Sequence, residues 1–449
     1  MYNLLKLQNE HWEKANISQS GIKRTLMGPL FQEKDKNNIT VLKGARQTGK
    51  SFLFKMIISK LIKNGVNPHH IYYINFDDTS LRDKTNENLD VFKNFILNEI
   101  KQHQGSKLYF FIDEFQKVKN ITDLIKILFE STNHVKFYLS GSSSLVISEK
   151  ISESLLGRTS EYILNTLSFK ELIDCKYQLP TINLEQLLND PQRIIKKFNL
   201  YKEDIIHEFK QFMLYGGYPK LTETNNRLEK IKILKDNIDN YINKDILGEL
   251  KIERINEYKK LMQYLSSTTG SLLNMNNMGN DLGLSFVTTK KYLNILSNTY
   301  ITNLLSPYSS NVINTIKKAN KNYFLDSGLR NVLAEEYEQE SLSMGQVLEN
   351  LLWLKLYQYN NYSKLFLGNI FYLRTSNNSE IDFVYKYQKK LYLFESKIKF
   401  GINKSYINLA HKLNVDKVYI ITLNSQNKSV IKNGIKIIEI PIYLLWLAE

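Results

Sequence analysis

Apolar and polar positions divide the chain into stretches of different rhythm. From Ile39 onward, short runs that are apolar throughout alternate with stretches of helical periodicity. That pattern predicts strands buried on both faces with helices between them. Strands are expected at 39–43, 71–76, 108–112, 135–140 and 161–164, and helices at 50–63, 89–103 and 121–130. The alternation is that of an α/β fold with a parallel sheet. Residues 1–38 read as a helical lead-in. Past residue 168 the strand signals stop, and 168–265 read as helices interrupted at Pro180, Pro191 and a turn at 216–219. Two short helical patterns follow, 275–283 and 287–297, then strand-like segments at 300–305 and 323–325. From about Ser341 a helix leads into three strands, a helix and two more strands. The expected domains are 1–167, 168–265, 266–335 and 336–449.

Composition narrows the class. Hydrophobic residues at 43% and aromatics at 12% are enough for real cores, which excludes a disordered chain. One cysteine, Cys175, excludes a disulfide scaffold and a cysteine-ligated zinc site; it fits a reducing, cytoplasmic compartment and reads as a small buried hydrophobe. No apolar run approaches the roughly 18 residues of a membrane helix, and the first residues lack the apolar core of a signal peptide. Sixty Lys and Arg against 45 Asp and Glu leave a formal charge of +15 over 449 residues. Such a surplus raises local phosphate concentration and suits a polyanion partner, although AT-rich coding also enriches lysine.

The strongest local signal is Gly44-Ala45-Arg46-Gln47-Thr48-Gly49-Lys50-Ser51, with Phe52 after it, set between an apolar strand and a helix. It fits G-x-x-x-x-G-K-[ST], whose glycines let successive N–H groups turn inward around phosphate oxygens, at the positive end of a helix. Lys50 is expected on the β- and γ-phosphates of ATP, and the Ser51 hydroxyl on Mg²⁺. The strand at 108–112 ends in Asp113-Glu114. Asp113 is the candidate for holding Mg²⁺ through water, and Glu114 for polarising the attacking water. Ser140 and Ser142, at the end of the next strand, are candidates for the γ-phosphate or that water. Arg158 reads equally as a finger reaching a neighbouring subunit and as a salt-bridged surface arginine.

The segments GARQTGKS, FFIDEFQKV, LSGSSS…SESLLGR, YGGYP and NYFLDSGL follow one another in order. Together they resemble the widespread archaeal and bacterial AAA-type ATPases that carry a C-terminal domain of unknown function. The resemblance runs from about Ile22 to Phe400. It implies a P-loop AAA-type ATPase core, a helical lid, a winged helix and a nuclease-like C-terminal domain. Ser51 stands where many members have threonine, and either hydroxyl can ligate magnesium.

Two further constellations can be read from the residues themselves. In the second helix of the 275–297 pair, Thr288, Thr289, Lys290, Lys291 and Asn294 are expected on the exposed face. Lys317, Lys318 and Lys321 precede the last strand of a possible wing. This arrangement suits a winged helix-turn-helix on DNA, or one used for protein packing. Tyr215, Tyr218 and Tyr292 are candidates for stacking on bases. Near the C-terminus, Glu380 and Asp382 share one strand face, and Glu395 and Lys397 share a face of the returning strand, with Glu349 on a helix able to lie over them. The set D-x12-E-x-K with a helical Glu is similar to the PD-(D/E)XK nucleases. Asp382 and Glu395 are the expected Mg²⁺ ligands, Glu349 completes the shell, and Lys397 positions or deprotonates the attacking water. A decayed fold kept for binding is the other reading. The expectation is an ATP-hydrolysing, Mg²⁺-dependent homo-oligomer, a ring being one form, acting on duplex or branched DNA. Its rival is a nucleotide-switched signalling or scaffold protein whose C-terminal domain binds without cutting.

Overall fold

The computed structural model describes residues 2–13, 21–142, 147, 154–309, 319–362, 367–375, 377, 379–423 and 428–449. The chain forms two compact units, residues 1–165 with 298–300, and residues 166–297 with 301–449.

In the first unit, strands β1 (Ile39–Lys43), β2 (Ile71–Asn75), β3 (Leu108–Asp113), β4 (Val135–Gly141) and β5 (Thr159–Ile163) pair in the order β2-β3-β4-β1-β5, every pair parallel. The runs Leu108–Asp113 and Val135–Gly141 are buried at every position, as their unbroken apolar character predicts. Register aligns the strand ends: Asn75 lies beside Asp113, Asp113 beside Ser140, and Gly141 beside Lys43. The carboxyl ends of four strands therefore meet where β1 runs into the helix Lys50–Lys63. A helix at Thr79–Glu87, capped by the Asp78 side chain, went unread because its sequence is almost wholly polar.

Strand β2 is an edge, and side chains cover it. Asn9 donates to the Tyr73 carbonyl at 2.8 Å and accepts from the Tyr73 N–H at 2.6 Å. Gln8 accepts from the Asn75 N–H at 2.7 Å, and the Trp12 indole donates to the Ile71 carbonyl at 2.9 Å. Residues 8–12 thus satisfy backbone groups that would otherwise offer a template for pairing with another chain.

In the second unit the helices after residue 168 do not stand apart. Phe169, Leu187, Phe209 and Met213 share one hydrophobic core with Trp353, Phe383, Ile421 and Trp446. The turn at 216–219 and the helix Ser327–Leu333 lock together through Asp326. That carboxylate accepts from the Gly217 N–H at 2.9 Å and caps the helix at Leu329, at 3.0 Å. A side chain at Gly328 would strike the Tyr215 carbonyl, 1.8 Å from its Cβ, so glycine is required there. Burial pushes the Asp326 carboxyl up to about 6.

The helices Met275–Leu282 and Phe286–Asn298 are followed by an antiparallel ribbon of β6 (Thr302–Leu305) and β7 (Lys321–Phe324). Leu284, Leu293 and Leu296 are buried between these helices and their neighbours, while Val287 is 75% exposed. The long helix Met344–Tyr362 precedes a mixed sheet ordered β12-β13-β11-β10-β9-β8 among the described residues. Its strands are β8 (Gly368–Arg374), β9 (Glu380–Tyr387), β10 (Lys390–Lys397), β11 (Lys417–Thr422), β12 (Ser429–Lys432) and β13 (Ile435–Pro441). The β9–β10 hairpin turns at Gln388, whose φ is 55°. The expectation of two closing strands falls one short, because the exposed edge strand β12 has no apolar face to betray it.

Candidate nucleotide site and carboxylate cluster

The loop after β1 takes its shape from backbone conformations that glycine reaches readily. Gly44 has φ 153° and Gly49 φ 94°, and Gln47 also sits in the left-handed region at φ 63°. A Cβ on Gly44 would lie 2.3 Å from the Leu164 carbonyl oxygen. Thr48 Oγ1 donates to the Ala45 carbonyl at 2.9 Å, and Lys50 Nζ donates to the Gly44 and Ala45 carbonyls at 2.9 and 2.8 Å. Arg46 is half-buried, while Ser51 is exposed at the start of the helix and Phe52 half-buried behind it. The Phe52 ring fills the space a side chain on Gly21 would need. Arg24, buried to 4% exposure, donates to the Thr48 carbonyl at 2.7 Å and the Asn165 carbonyl at 2.6 Å. It ties the loop to the end of the sheet, and nothing near it in sequence marks it.

Asp113 is fully buried; Ser140 Oγ donates to one of its oxygens and the Tyr73 hydroxyl to the other, at 2.9 Å. Glu114, at φ 55°, accepts from Gln116 Nε2 at 2.7 Å and Ser142 Oγ at 3.2 Å. Both candidate carboxylates are thus held in fixed orientations beside the strand end, which suits a hard cation near Asp113 and a positioned base at Glu114. Tyr73 and Gln116 escaped the sequence reading, because a tyrosine inside an apolar strand and a glutamine in a loop carry no signal alone. Arg158 pairs with Glu130 at the surface and also donates to the Leu156 carbonyl at 3.2 Å.

Residues 36–173 match the AAA domain family. Over this segment the chain is similar to AAA-type P-loop ATPase domains. Residues 206–340 and 344–443 match two domains of unknown function (DUF8612 and DUF4143). An uncharacterized protein of Methanocaldococcus jannaschii is 27% identical over 383 residues, covering 84% of this chain and 76% of that protein. One of Haemophilus influenzae is 26% identical over 348 residues, covering 76% and 79%. A DNA polymerase III gamma subunit-related protein of Thermotoga maritima aligns at 11% identity over 61% of this chain and 98% of that one, with a TM-score of 0.24. No described helix is long and apolar enough to cross a membrane.

Within the second unit, charged side chains come together from distant stretches of sequence. The hairpin register places Asp382 across from Glu395, and the Asp382 N–H donates to Glu395 Oε2 at 3.1 Å. Ser396 donates to Asp382 Oδ2 from its N–H at 2.8 Å and its hydroxyl at 2.7 Å. Lys397 Nζ lies 2.9 Å from Glu395 Oε1, its side chain 44% exposed. Burial, and then the neighbouring Asp382 carboxylate, push Glu395 up to about 8 and Glu349 up to about 7. The hard oxygens of Asp382 and Glu395 fit a magnesium-like cation in kind. Glu349, however, accepts from the Lys321 ammonium at 3.0 Å and the Tyr323 hydroxyl at 2.6 Å. Among the described residues no three Asp, Glu, His or Cys side chains are grouped to hold a metal ion.

Several sequence-based assignments are corrected. Lys321 is not on an exposed face: it is 4% exposed, and its ammonium lies in this cluster. Thr289 is buried, with its hydroxyl donating to the Ser285 carbonyl at 2.9 Å. Thr288 is half-buried beside Ser285, and Lys290, Lys291 and Asn294 are exposed. Lys317 and Lys318 lie outside the described residues. Tyr215, Tyr218 and Tyr292 are buried and offer no face to a base. Cys175 is exposed, just past the helix Phe169–Asp174.

Proposed function

We propose that this chain couples ATP hydrolysis to work on DNA, with residues 266–335 acting as a winged helix and the C-terminal region as a PD-(D/E)XK-type nuclease. In the ATPase domain Lys50 neutralises phosphate charge, Ser51 and Asp113 hold Mg²⁺, Glu114 activates water, and Ser142 senses the γ-phosphate side. Arg158 exchanges Glu130 for a neighbouring subunit's nucleotide in a cytoplasmic homo-oligomer. Lys290 and Lys291 meet DNA phosphates, and Asn294 lies near base edges.

The observation that carries the DNA half is the meeting of Asp382, Glu395 and Lys397 on one hairpin, with Lys397 2.9 Å from Glu395. Asp382 and Glu395 would hold Mg²⁺, which when bound supplies charge to a scissile phosphate and lowers the pKa of water. Ser396 fixes the orientation of Asp382, and Lys397 offers a cation beside the phosphate. The pairing of Glu349 with Lys321 favours a second reading, a nucleotide-switched protein whose C-terminal region binds without cutting. One experiment separates them. Duplex, forked and four-way DNA are incubated with the protein in Mg²⁺ or Mn²⁺, with and without ATP. Cleavage that Asp382→Ala and Lys397→Ala abolish, at unchanged ATPase rate, supports the nuclease; no cleavage on any substrate leaves the switch.

A further inference from the structure

The carboxylate cluster contains a cation of its own. Lys321 opens β7, on the ribbon, yet its ammonium ends among the carboxylates of the long helix and the six-stranded sheet. Nζ is 3.0 Å from Glu349 Oε1 and 2.6 Å from Glu380 Oε1, and 5.5 Å from the centre of the Tyr372 ring. Two residues on, and on the same face of β7, Tyr323 donates to the same Glu349 oxygen. Arg374, 3.6 Å from Glu380, is a second cation on that carboxylate. Burial works against the Lys321 charge, but Glu349, Asp382 and Glu380 together hold its pKa above the ordinary lysine value.

Taking an ammonium out of water costs several kcal/mol unless it is well paired, so its position is set by the oxygens around it. Those oxygens include Glu349, the third carboxylate that a metal shell on Asp382 and Glu395 would recruit. An ammonium and a hard divalent ion seek the same ligands. With Lys321 in place, the carboxyl groups of Glu349, Glu380, Asp382 and Glu395 share three cations, Lys321, Arg374 and Lys397. Without it, the same four groups share Arg374 and Lys397 alone, and the hard oxygens of Glu349 are left for a divalent cation that displaces their protons.

We propose that Lys321 is a built-in counter-ion that takes the cation's place beside Glu349 and holds down the affinity of this cluster for divalent metal. The inference rests on the nuclease-type reading of Asp382 and Glu395, and concerns metal affinity rather than cleavage. The test is Mn²⁺ binding by the full-length chain without nucleotide, read from the electron paramagnetic resonance of free Mn²⁺. Lys321→Met should bind Mn²⁺ at least tenfold more tightly than the wild type, and Lys321→Arg should match the wild type. Adding Asp382→Asn to Lys321→Met should erase the gain. Unchanged or weaker binding by folded Lys321→Met would overturn the proposal, as would a gain that survives Asp382→Asn. If Lys321→Met loses its near-ultraviolet circular dichroism, Lys321→Gln carries the same prediction. Tighter Mn²⁺ binding without DNA cleavage would leave this inference standing and remove the nuclease reading. Metal-dependent cleavage with no gain in Lys321→Met would do the reverse.

Discussion

In the loop at residues 44–51 the shape comes from the backbone, and a single lysine lies against the loop's own carbonyls. In the cluster around Asp382 the reverse holds. Charges there are side chains: Lys321 reaches Glu349 and Glu380 from a different strand, while Lys397 balances Glu395 from two residues along the same one. The first arrangement needs only a short run of residues, so it is specified locally and survives wherever strand, loop and helix follow in order. The second depends on tertiary packing to bring residues 321, 349, 380, 382, 395 and 397 together, and each charge alters its neighbours. A lesion in the loop should therefore remove one function outright, whereas a lesion in the cluster should redistribute charge.

The largest effect expected is in the ATPase domain. Lys50→Ala should weaken ATP binding at least a hundredfold, measured with a fluorescent nucleotide. Glu114→Gln should bind ATP like the wild type and lower turnover by 10² or more, about 3 kcal/mol of transition-state stabilisation. Wild-type turnover by Glu114→Gln would break the comparison on its better-defined side, because Gln116 and Ser142 would then be orienting a carboxylate with no chemical role.

That contrast also explains what the sequence disclosed. The five parallel strands, the loop and the Asp113-Glu114 strand end were legible because apolar runs and glycine spacing are local physical signals. The hairpin carrying Asp382 and Glu395 was legible too, since alternation along two adjoining strands fixes which side chains share a face. Arg24 and Tyr73 were not, because their partners lie far along the chain and neither belongs to a periodic pattern. Lys321 was misplaced for the same reason. A lysine in a basic stretch reads as exposed, and only the packing of β7 against the helix Met344–Tyr362 turns it inward. The YGGYP and LDSGL segments carry part of the family resemblance, and their physical meaning is the Asp326 lock between Gly217 and the helix Ser327–Leu333.

A middle-sized effect would sharpen the comparison by asking whether the second unit uses exposed charge as well as buried charge. Lys290→Glu with Lys291→Glu should lower DNA affinity about tenfold on every sequence and flatten its salt dependence by about two charges. Both lysines are exposed and neither belongs to the buried cluster, so the fold should be untouched. Unaltered affinity and salt slope would make this helix a protein-packing face.

The smallest effect is on stability, and its sign follows from burial. Glu395 is held at about 8 and Glu349 at about 7, against an ordinary glutamate value near 4.3 in the unfolded chain. Between those limits the folded protein binds more protons than the unfolded one. Stability from these groups is therefore fullest below about pH 4 and is lost as pH rises through 7 and 8. Glu395→Gln removes the more strongly raised of the two, and keeps an oxygen to accept from the Asp382 N–H. Thermal melts of the wild type should fall by a few degrees more between pH 6 and pH 9 than those of Glu395→Gln, leaving the variant the more stable at pH 9. Lys397 loses its partner in the variant, but with 44% of its side chain exposed it can turn to water at little cost. Parallel melting curves across that range would show that Glu395 is already ionised at neutral pH. The like charges of the cluster would then be compensated more fully than the pairs at Lys321 and Lys397 provide.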